Sequence, residues 1–168
     1  MTNQLKGKTM TDSNFSRRRL LICAAALASI AALPAAAEAA GPAVHVLKDP
    51  NCGCCTAWAD ILKAEGFAVT IELADYDALS AYKSANGIPE TMASCHTARV
   101  EGYLLEGHVP PADIRRLLAE RPDAIGLAVP GMPMGSPGMG PETEREAYDV
   151  FLIRHGGSST VFSRYHAA

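Results

Sequence analysis

Four cysteines are the residues of this sequence best suited to chemistry. Cys52, Cys54 and Cys55 fall within four positions, and Cys95 follows 40 residues later. Taken as Cys52 and Cys55, the cluster has the C-x-x-C spacing of thiol oxidoreductases. Taken together, the thiols are soft ligands that suit Cu(I), Zn(II) or an iron–sulfur centre. The spacing alone therefore leaves a redox dithiol, a metal site and a structural disulfide open.

The number of thiols in the cluster favours a metal site over a dithiol. A redox pair needs two sulfurs, and a third thiol beside them invites scrambled pairing, whereas a metal ion gains from every further thiolate. A structural zinc site usually consists of two separated C-x-x-C pairs, and this pattern of three plus one differs from it. We therefore take Cys52, Cys54, Cys55 and Cys95 as the candidate ligands.

Several neighbouring residues are weaker candidates. Thioether sulfur is soft and suits Cu(I) better than zinc, and a segment rich in glycine, proline and methionine follows at residues 130–141. The weaker candidates are Met132, Met134 and Met139 on that segment and His96 beside Cys95. For His108, within Gly-His-Val-Pro, we expect a structural role that braces the loop before the third helix.

The spacing of apolar residues predicts the elements that position these side chains. Alternation typical of strands and i, i+3, i+4 spacing typical of helices give the order β-α-β-α-β-β-α, which is the order of a thioredoxin-like α/β domain. The predicted segments are Ala43–Lys48, Thr56–Glu65, Ala68–Leu73, Asp75–Ala85, Thr97–Val100, Tyr103–Glu106 and a helix opening at Pro110 and Pro111. This order places the three clustered cysteines at a helix amino terminus, which favours thiolates, and brings Cys95 towards them.

Beyond this core the sequence predicts a loop and a further hairpin. Residues 130–141 lack any regular pattern, and Tyr148–Arg154 and Thr160–Tyr165 flank Gly156 and Gly157. We therefore expect a C-terminal β-hairpin extension of the thioredoxin-like core.

The first 39 residues are typical of an export signal. A basic segment precedes an apolar run from Leu20 to Leu33, and small residues follow, so we expect cleavage near Ala37 to Ala39. Arg17 to Leu21 also resembles a twin-arginine signal. The sequence thus predicts a signal peptide at residues 1–39 and one domain at residues 40–168. We expect a periplasmic location.

The charge of the chain divides between these two parts. Five of the 15 Lys and Arg residues and two of the 18 Asp and Glu residues lie in residues 1–39. Residues 40–168 therefore carry ten basic and 16 acidic side chains, a net charge of −6. An acidic domain argues against nucleic acid as a partner, because phosphate binding needs a basic surface. After cleavage of the signal we also expect no membrane association.

Four short segments carry a family resemblance: Asp49 to Cys55, Ser94 to Ala98, Glu106 to Pro110 and Pro130 to Pro133. Together they resemble the exported CopG-type copper-resistance proteins, and the resemblance covers about residues 43–166. It implies a thioredoxin-like fold and a multinuclear copper–thiolate site with Cys52, Cys54, Cys55 and Cys95 as ligands. It also implies copper handling in the periplasm, with redox change of the bound copper.

The sequence as a whole therefore predicts a periplasmic protein that holds Cu(I) for sequestration, resistance or transfer. We expect a binding protein rather than an enzyme, with copper ions and other periplasmic copper-handling proteins as its partners. The alternative is a periplasmic thiol-disulfide oxidoreductase that uses Cys52 and Cys55. A cysteine-ligated iron–sulfur protein is a third interpretation.

Overall fold

A mixed seven-stranded sheet runs through residues 41–168, the part of the chain that the computed structural model describes. The strands are β1 (Ala43–Lys48), β2 (Ala68–Leu73), β3 (His96–Val100), β4 (Tyr103–Glu106), β5 (Gly126–Ala128), β6 (Tyr148–Ile153) and β7 (Ser159–Tyr165). Their order in the sheet is β2-β1-β3-β4-β5-β6-β7. β1 runs parallel to β2, and β4 runs parallel to β5, while every other neighbouring pair is antiparallel. The signal peptide predicted for residues 1–39 lies outside the described residues.

Three α-helices cover the two faces of this sheet. They are α1 (Gly53–Ala64), α2 (Tyr76–Ala85) and α3 (Pro111–Glu120), and short 3-10 turns lie at Glu90–Met92 and Glu142–Glu144. Trp58 and Leu62 of α1 share one core with Ile114 and Leu117 of α3. Tyr82 of α2 belongs to a smaller cluster. The α/β class predicted from the sequence is confirmed.

The helix starts follow from local chemistry. Asp75 caps α2, because its Oδ1 accepts a hydrogen bond from the backbone N–H of Ala78 at 2.8 Å. Pro111 opens α3, where a residue without an N–H costs nothing. Cys52 caps α1, and its sulfur accepts from the N–H of Cys55 at 3.3 Å. The helix therefore begins at Gly53, three residues earlier than Thr56, where apolar periodicity placed it.

The C-terminal hairpin is continuous with the main sheet. β5 pairs with β4 on one side and with β6 on the other, so it joins the β6–β7 hairpin to the sheet as its last strands. The sequence did not predict β5, because three residues are too few to show a strand period. Its neighbours in the sheet stabilise it as a strand instead.

Strand pairing brings three chain segments to one end of the sheet. β1 and β3 are antiparallel with Lys48 opposite His96, so the turn after β1 meets the segment before β3. β3 and β4 are antiparallel with Thr97 opposite Glu106, so the residues after β4 reach the same place. The cysteine cluster, Cys95 and His108 occupy these three segments.

Candidate metal centre

The clustered cysteines lie at the start of α1. Cys52 is the N-cap residue, and Cys54 and Cys55 are in the first turn of the helix. Cys55 is fully buried, whereas Cys52 and Cys54 are half-buried. Cys52 and Cys55 form a disulfide with a Cα–Cα distance of 5.4 Å. The Sγ atom of Cys54 is 3.5 Å from that of Cys52.

Cys95 joins this cluster from the strand next to β1 in the sheet, as predicted. It immediately precedes β3, and the Sγ atoms of all four cysteines lie within 4.8 Å of one another. Cys54 and Cys95 are free thiols. The structure thus describes an oxidised cluster, in which reduction of one disulfide would leave four thiols within reach of a common ion.

Two histidines extend the donor set beyond the four cysteines. His108 Nε2 is 3.1 Å from the Sγ atom of Cys95, and His96 Nδ1 is 3.3 Å from the same sulfur. Cys95, His96 and His108 form a second group whose donor atoms lie within 4.8 Å of one another. Both histidines are completely buried.

The hydrogen bond of His108 fixes its tautomer. Its Nδ1 lies 2.8 Å from the carbonyl oxygen of Pro137. A carbonyl only accepts, so Nδ1 carries the hydrogen and Nε2 presents its lone pair towards Cys95. A histidine whose second nitrogen is bonded to a backbone carbonyl is the usual arrangement of a metal-bound imidazole. The structural role expected for His108 was therefore incomplete. His108 anchors the loop at residues 130–141 through Pro137, and its Nε2 also faces the sulfur of Cys95.

His96 has an unsatisfied polar atom. Its Nε2 is buried without a hydrogen-bond partner among the described residues, and its ring packs on Trp58 with centroids 4.4 Å apart. Burial lowers the pKa of His96 well below its ordinary value, and nearby His108, Lys83 and Lys48 lower it further. A neutral imidazole retains the lone pair that a metal ion needs.

Burial also governs the protonation of Cys95. It raises the pKa of this thiol to about 12, and the neighbouring Cys54 adds to the shift. Without a cation Cys95 is therefore a neutral thiol at ordinary pH. A bound metal ion supplies the positive charge that makes the thiolate favourable, so binding is coupled to release of this proton.

A buried polar network holds the segment that carries Cys95. Glu106 is fully buried and accepts from the backbone N–H of Ser94 at 2.6 Å and from the hydroxyl of Thr97 at 2.6 Å. Its carboxylate also forms an ion pair with Lys83. Burial raises the pKa of Glu106 although Lys83 and these hydrogen bonds oppose the shift. The network fixes Ser94, and with it the position of Cys95.

The loop at residues 130–141 covers the same end of the sheet. Ser94 donates to the carbonyl of Gly131, and Pro137 accepts from His108 as described above. Gly138 has φ +87°, and a Cβ atom there would lie 2.7 Å from Trp58 N and 2.9 Å from Cys54 O. Only glycine allows this close approach, so the loop packs directly on the first turn of α1.

The methionines of this loop are partly or largely exposed to solvent. Met132 is 54% exposed and Met134 is 40% exposed, and the sulfur of Met134 lies against Gly140. Met139 is half-buried. Their role as ligands stays a prediction, whereas His108 has the better position.

The donor set fits a soft metal ion. Four thiols and two neutral imidazoles are ligands that select Cu(I), zinc or a related soft ion over calcium or magnesium. The fold thus places a sulfur-rich group of candidate metal ligands at one end of a seven-stranded α/β sheet.

The chain is similar to a known protein family and to solved structures. Residues 92–139 match a family described as a protein of unknown function, DUF411. Two solved structures, described as copper resistance protein CopG, forms 2 and 1, are each 46% identical to the chain with a TM-score of 0.69. Each match covers 74% of this chain and 98% of the other. No curated protein is significantly similar to the chain.

The chain belongs to the CopG-type copper resistance family. This confirms the family resemblance drawn from the sequence, and with the cysteine cluster it points to copper as the metal. Within residues 41–168, no helix combines the length and apolar character needed to cross a membrane.

Proposed function

We propose that this protein is a periplasmic copper-binding protein that holds Cu(I) for sequestration, resistance or transfer. The observation that carries the proposal is the convergence of four cysteine sulfurs within 4.8 Å. Cu(I) prefers thiolate ligands, and a helix amino terminus stabilises their negative charge. The proposed export to the periplasm is supported by residues 1–39, whose sequence is typical of a signal peptide.

The ligands we assign are Cys52, Cys54, Cys55 and Cys95, with His108 as the next in rank. Cys95 belongs to both groups of donors, so it can bridge a copper ion held among cysteines to one held near the histidines. This shared ligand supports a multinuclear centre. The imidazole of His96 is the further candidate, because its Nδ1 faces the same sulfur.

We also assign the core to the thioredoxin-like class. The support is the strand order β2-β1-β3-β4, in which β1 and β2 are parallel and β3 and β4 follow antiparallel. In this arrangement the turn after β1 opens into α1. The cysteines therefore occupy the place where such a fold presents functional thiols.

A second candidate function is favoured by the disulfide. Cys52 and Cys55 are joined at the start of α1, which is the oxidised state of a thiol-disulfide oxidoreductase. Such an enzyme needs neither Cys54 nor Cys95. Cys54 lies 3.5 Å from Cys52, where it would compete in disulfide exchange, so we rank this function below copper binding.

The test is an anaerobic Cu(I) titration of the reduced protein against a competing chelator, with Cys54→Ser and Cys95→Ser variants. Copper binding predicts tight uptake by the wild type and a large loss of affinity in both variants. The oxidoreductase alternative predicts weak uptake throughout and unchanged dithiol exchange in both variants. If the wild type yields its copper to the chelator, the proposal is wrong.

A further inference from the structure

A cleft of about 720 Å³ opens directly beside the cysteines. Its walls come from the turn after β1, from α2 and from the segment that leads to β3. Cys52 and Cys95 line it, whereas Cys55 is fully buried behind them. Pockets of about 300–1,000 Å³ are the size at which proteins bind small ligands.

The charges of the cleft are negative. Asp49 and Glu90 line it, and neither carboxylate forms an ion pair with another described residue. The lysine in its wall, Lys83, is neutralised by its buried pair with Glu106. An anionic low-molecular-weight thiol complex would be repelled here, whereas a basic ligand would be attracted.

The rim of the cleft is apolar and exposed. Tyr76, which lines the cleft at the start of α2, is 79% exposed. Leu73, three residues before it at the end of β2 and outside the cleft lining, is 61% exposed. β2 is an edge strand of the sheet, so its outer backbone groups are unpaired in the sheet. Leu79 and Ile88 continue this apolar surface into the cleft wall. These features suit a polypeptide better than a free ion.

We propose that this cleft is the docking site through which copper reaches and leaves the cysteines. Its occupant is a short polypeptide segment of a copper-carrying partner, with a sulfur donor beside basic residues. This inference rests on the proposed function and adds a place and a partner chemistry to it.

Transfer at the cleft is a ligand exchange. The Cu(I)–sulfur bond to the incoming segment breaks as a Cu(I)–sulfur bond to Cys95 or Cys52 forms. Copper stays Cu(I), the thiol proton of the cysteine goes to the solvent, and the partner's sulfur leaves with both of its electrons. No oxidant or reductant is consumed once the disulfide has been reduced.

The test uses two synthetic peptides as copper donors. Both have the same length and the same two methionines, with lysines on either side in one and glutamates in the other. Each is loaded with Cu(I) and mixed anaerobically with the reduced protein, and transfer is followed by the ultraviolet absorption of Cu(I) thiolate. At low ionic strength we expect the lysine peptide to transfer at least about tenfold faster.

Matched variants distinguish the effect of the cleft carboxylates on transfer from the effect of the domain's overall charge. Asp49→Asn/Glu90→Gln should remove most of the difference between the peptides. Asp123→Asn/Glu144→Gln removes the same charge from residues that do not line the cleft, and it should preserve the difference. Ser80→Trp narrows the cleft and should slow transfer, while Ser158→Trp, in the exposed turn between β6 and β7, should not.

The outcomes distinguish the two proposals. Equal rates for the two peptides, or equal losses in the two double variants, would overturn docking at this cleft. Slowed transfer into Ser80→Trp with an unchanged equilibrium affinity for Cu(I) would support it. If the wild-type protein fails to bind Cu(I) at equilibrium, the proposed function is lost and the docking inference with it.

Discussion

Cys95 connects the two groups of donors at this site. Its sulfur lies among the sulfurs of the CGCC cluster and within 3.3 Å of a nitrogen from each of two buried histidines. Because burial raises the pKa of this thiol to about 12, it stays protonated until a cation arrives. Cys95 is therefore a neutral thiol in the empty site and becomes a thiolate only when a metal ion binds.

The position of His108 leads to a prediction about affinity. His108→Ala should weaken Cu(I) binding by about ten- to a hundredfold, because it removes a lone pair that faces Cys95. Competition with a Cu(I) chelator measures the change. His108→Gln can still donate to the carbonyl of Pro137, so an equal loss in that variant assigns the effect to ligation and not to the loop. His45→Ala, on the exposed side of β1, is the control.

Unchanged affinity in His108→Ala would contradict the ligand role. Recovery of full affinity in His108→Gln would instead assign the residue to anchoring the loop alone.

The buried pair of Glu106 and Lys83 leads to a prediction about stability. Glu106→Gln leaves the Lys83 cation without its partner, since the two side chains are 0% and 10% exposed. Breaking a buried pair in this way costs about 3 kcal/mol in the free energy of unfolding. Urea unfolding measures it, and Lys83→Met/Glu106→Gln should recover a large part of the loss. A double variant no more stable than the single one would contradict this account.

The residues of the site were predictable to different extents. Spacing alone singled out Cys52, Cys54 and Cys55, because three thiols so close together have few structural uses. The position of His108 next to the sulfur of Cys95 was not predicted, although the pairing of β3 with β4 implies it. The Glu101–Gly102 turn pairs Val100 with Tyr103, and extending that register outwards sets Cys95 opposite His108.

The loop at residues 130–141 is the element that completes the site. It contacts the segment before β3 through Gly131, His108 through Pro137 and the start of α1 through Gly138. A segment without regular structure thus orders one histidine and covers the helix that carries the cysteines. We expect this loop to support the metal site mainly through these backbone contacts.

A matched pair of glycine variants tests this element. Gly138 and Gly156 have nearly equal φ values, +87° and +88°, but only a Cβ atom at Gly138 would collide with neighbouring backbone. Both alanine variants carry a strain of roughly 1 kcal/mol from the positive φ. Gly138→Ala should in addition weaken Cu(I) binding severalfold, while Gly156→Ala should leave it unchanged. Equal Cu(I) affinities in the two variants would show that the loop does not support the site.

The predicted bounds are right for some elements and wrong for others. β1, β2 and β4 match them, because alternating apolar residues mark β1 and β2, and the Glu101–Gly102 turn marks the start of β4. α1 begins three residues early because the sulfur of Cys52 caps it, a role seldom filled by cysteine. β5 has no period of its own and exists through pairing on both sides.

At the scale of the whole domain, residues 41–168, the candidate ligands lie at one end of a single sheet. Strand pairing brings the turn after β1, the segment before β3 and the residues after β4 together. Residues distant in sequence therefore form one donor set. The sequence predicted this meeting for Cys95 from element order, and it could not predict the cleft, whose shape depends on how α2 packs.

Because of the disulfide, we expect copper binding to depend on the redox state of the protein. In the oxidised form, Cys52 and Cys55 are unavailable as thiolates, and Cys54 and Cys95 remain. We expect the oxidised protein to bind Cu(I) at least about a hundredfold more weakly than the reduced one, because half of the thiolate ligands are lost. Chelator competition before and after reduction measures this. Cys52→Ser cannot form this disulfide, so reduction should change its Cu(I) affinity less than it changes that of the wild type.

Equal Cu(I) affinities of the oxidised and reduced wild-type protein would contradict a role for Cys52 and Cys55 as ligands. The copper would then be held by Cys54, Cys95 and the histidines.

X-ray absorption at the copper edge tests the central claim most directly. For the reduced protein loaded with Cu(I), we predict a Cu(I) edge, a coordination shell dominated by sulfur with a smaller nitrogen contribution, and scattering from a second copper ion. Cys95→Ser should lose the copper–copper scattering, because Cys95 is the sulfur shared by both donor groups. A shell of nitrogen and oxygen alone, in the wild type, would contradict a cysteine-held copper centre.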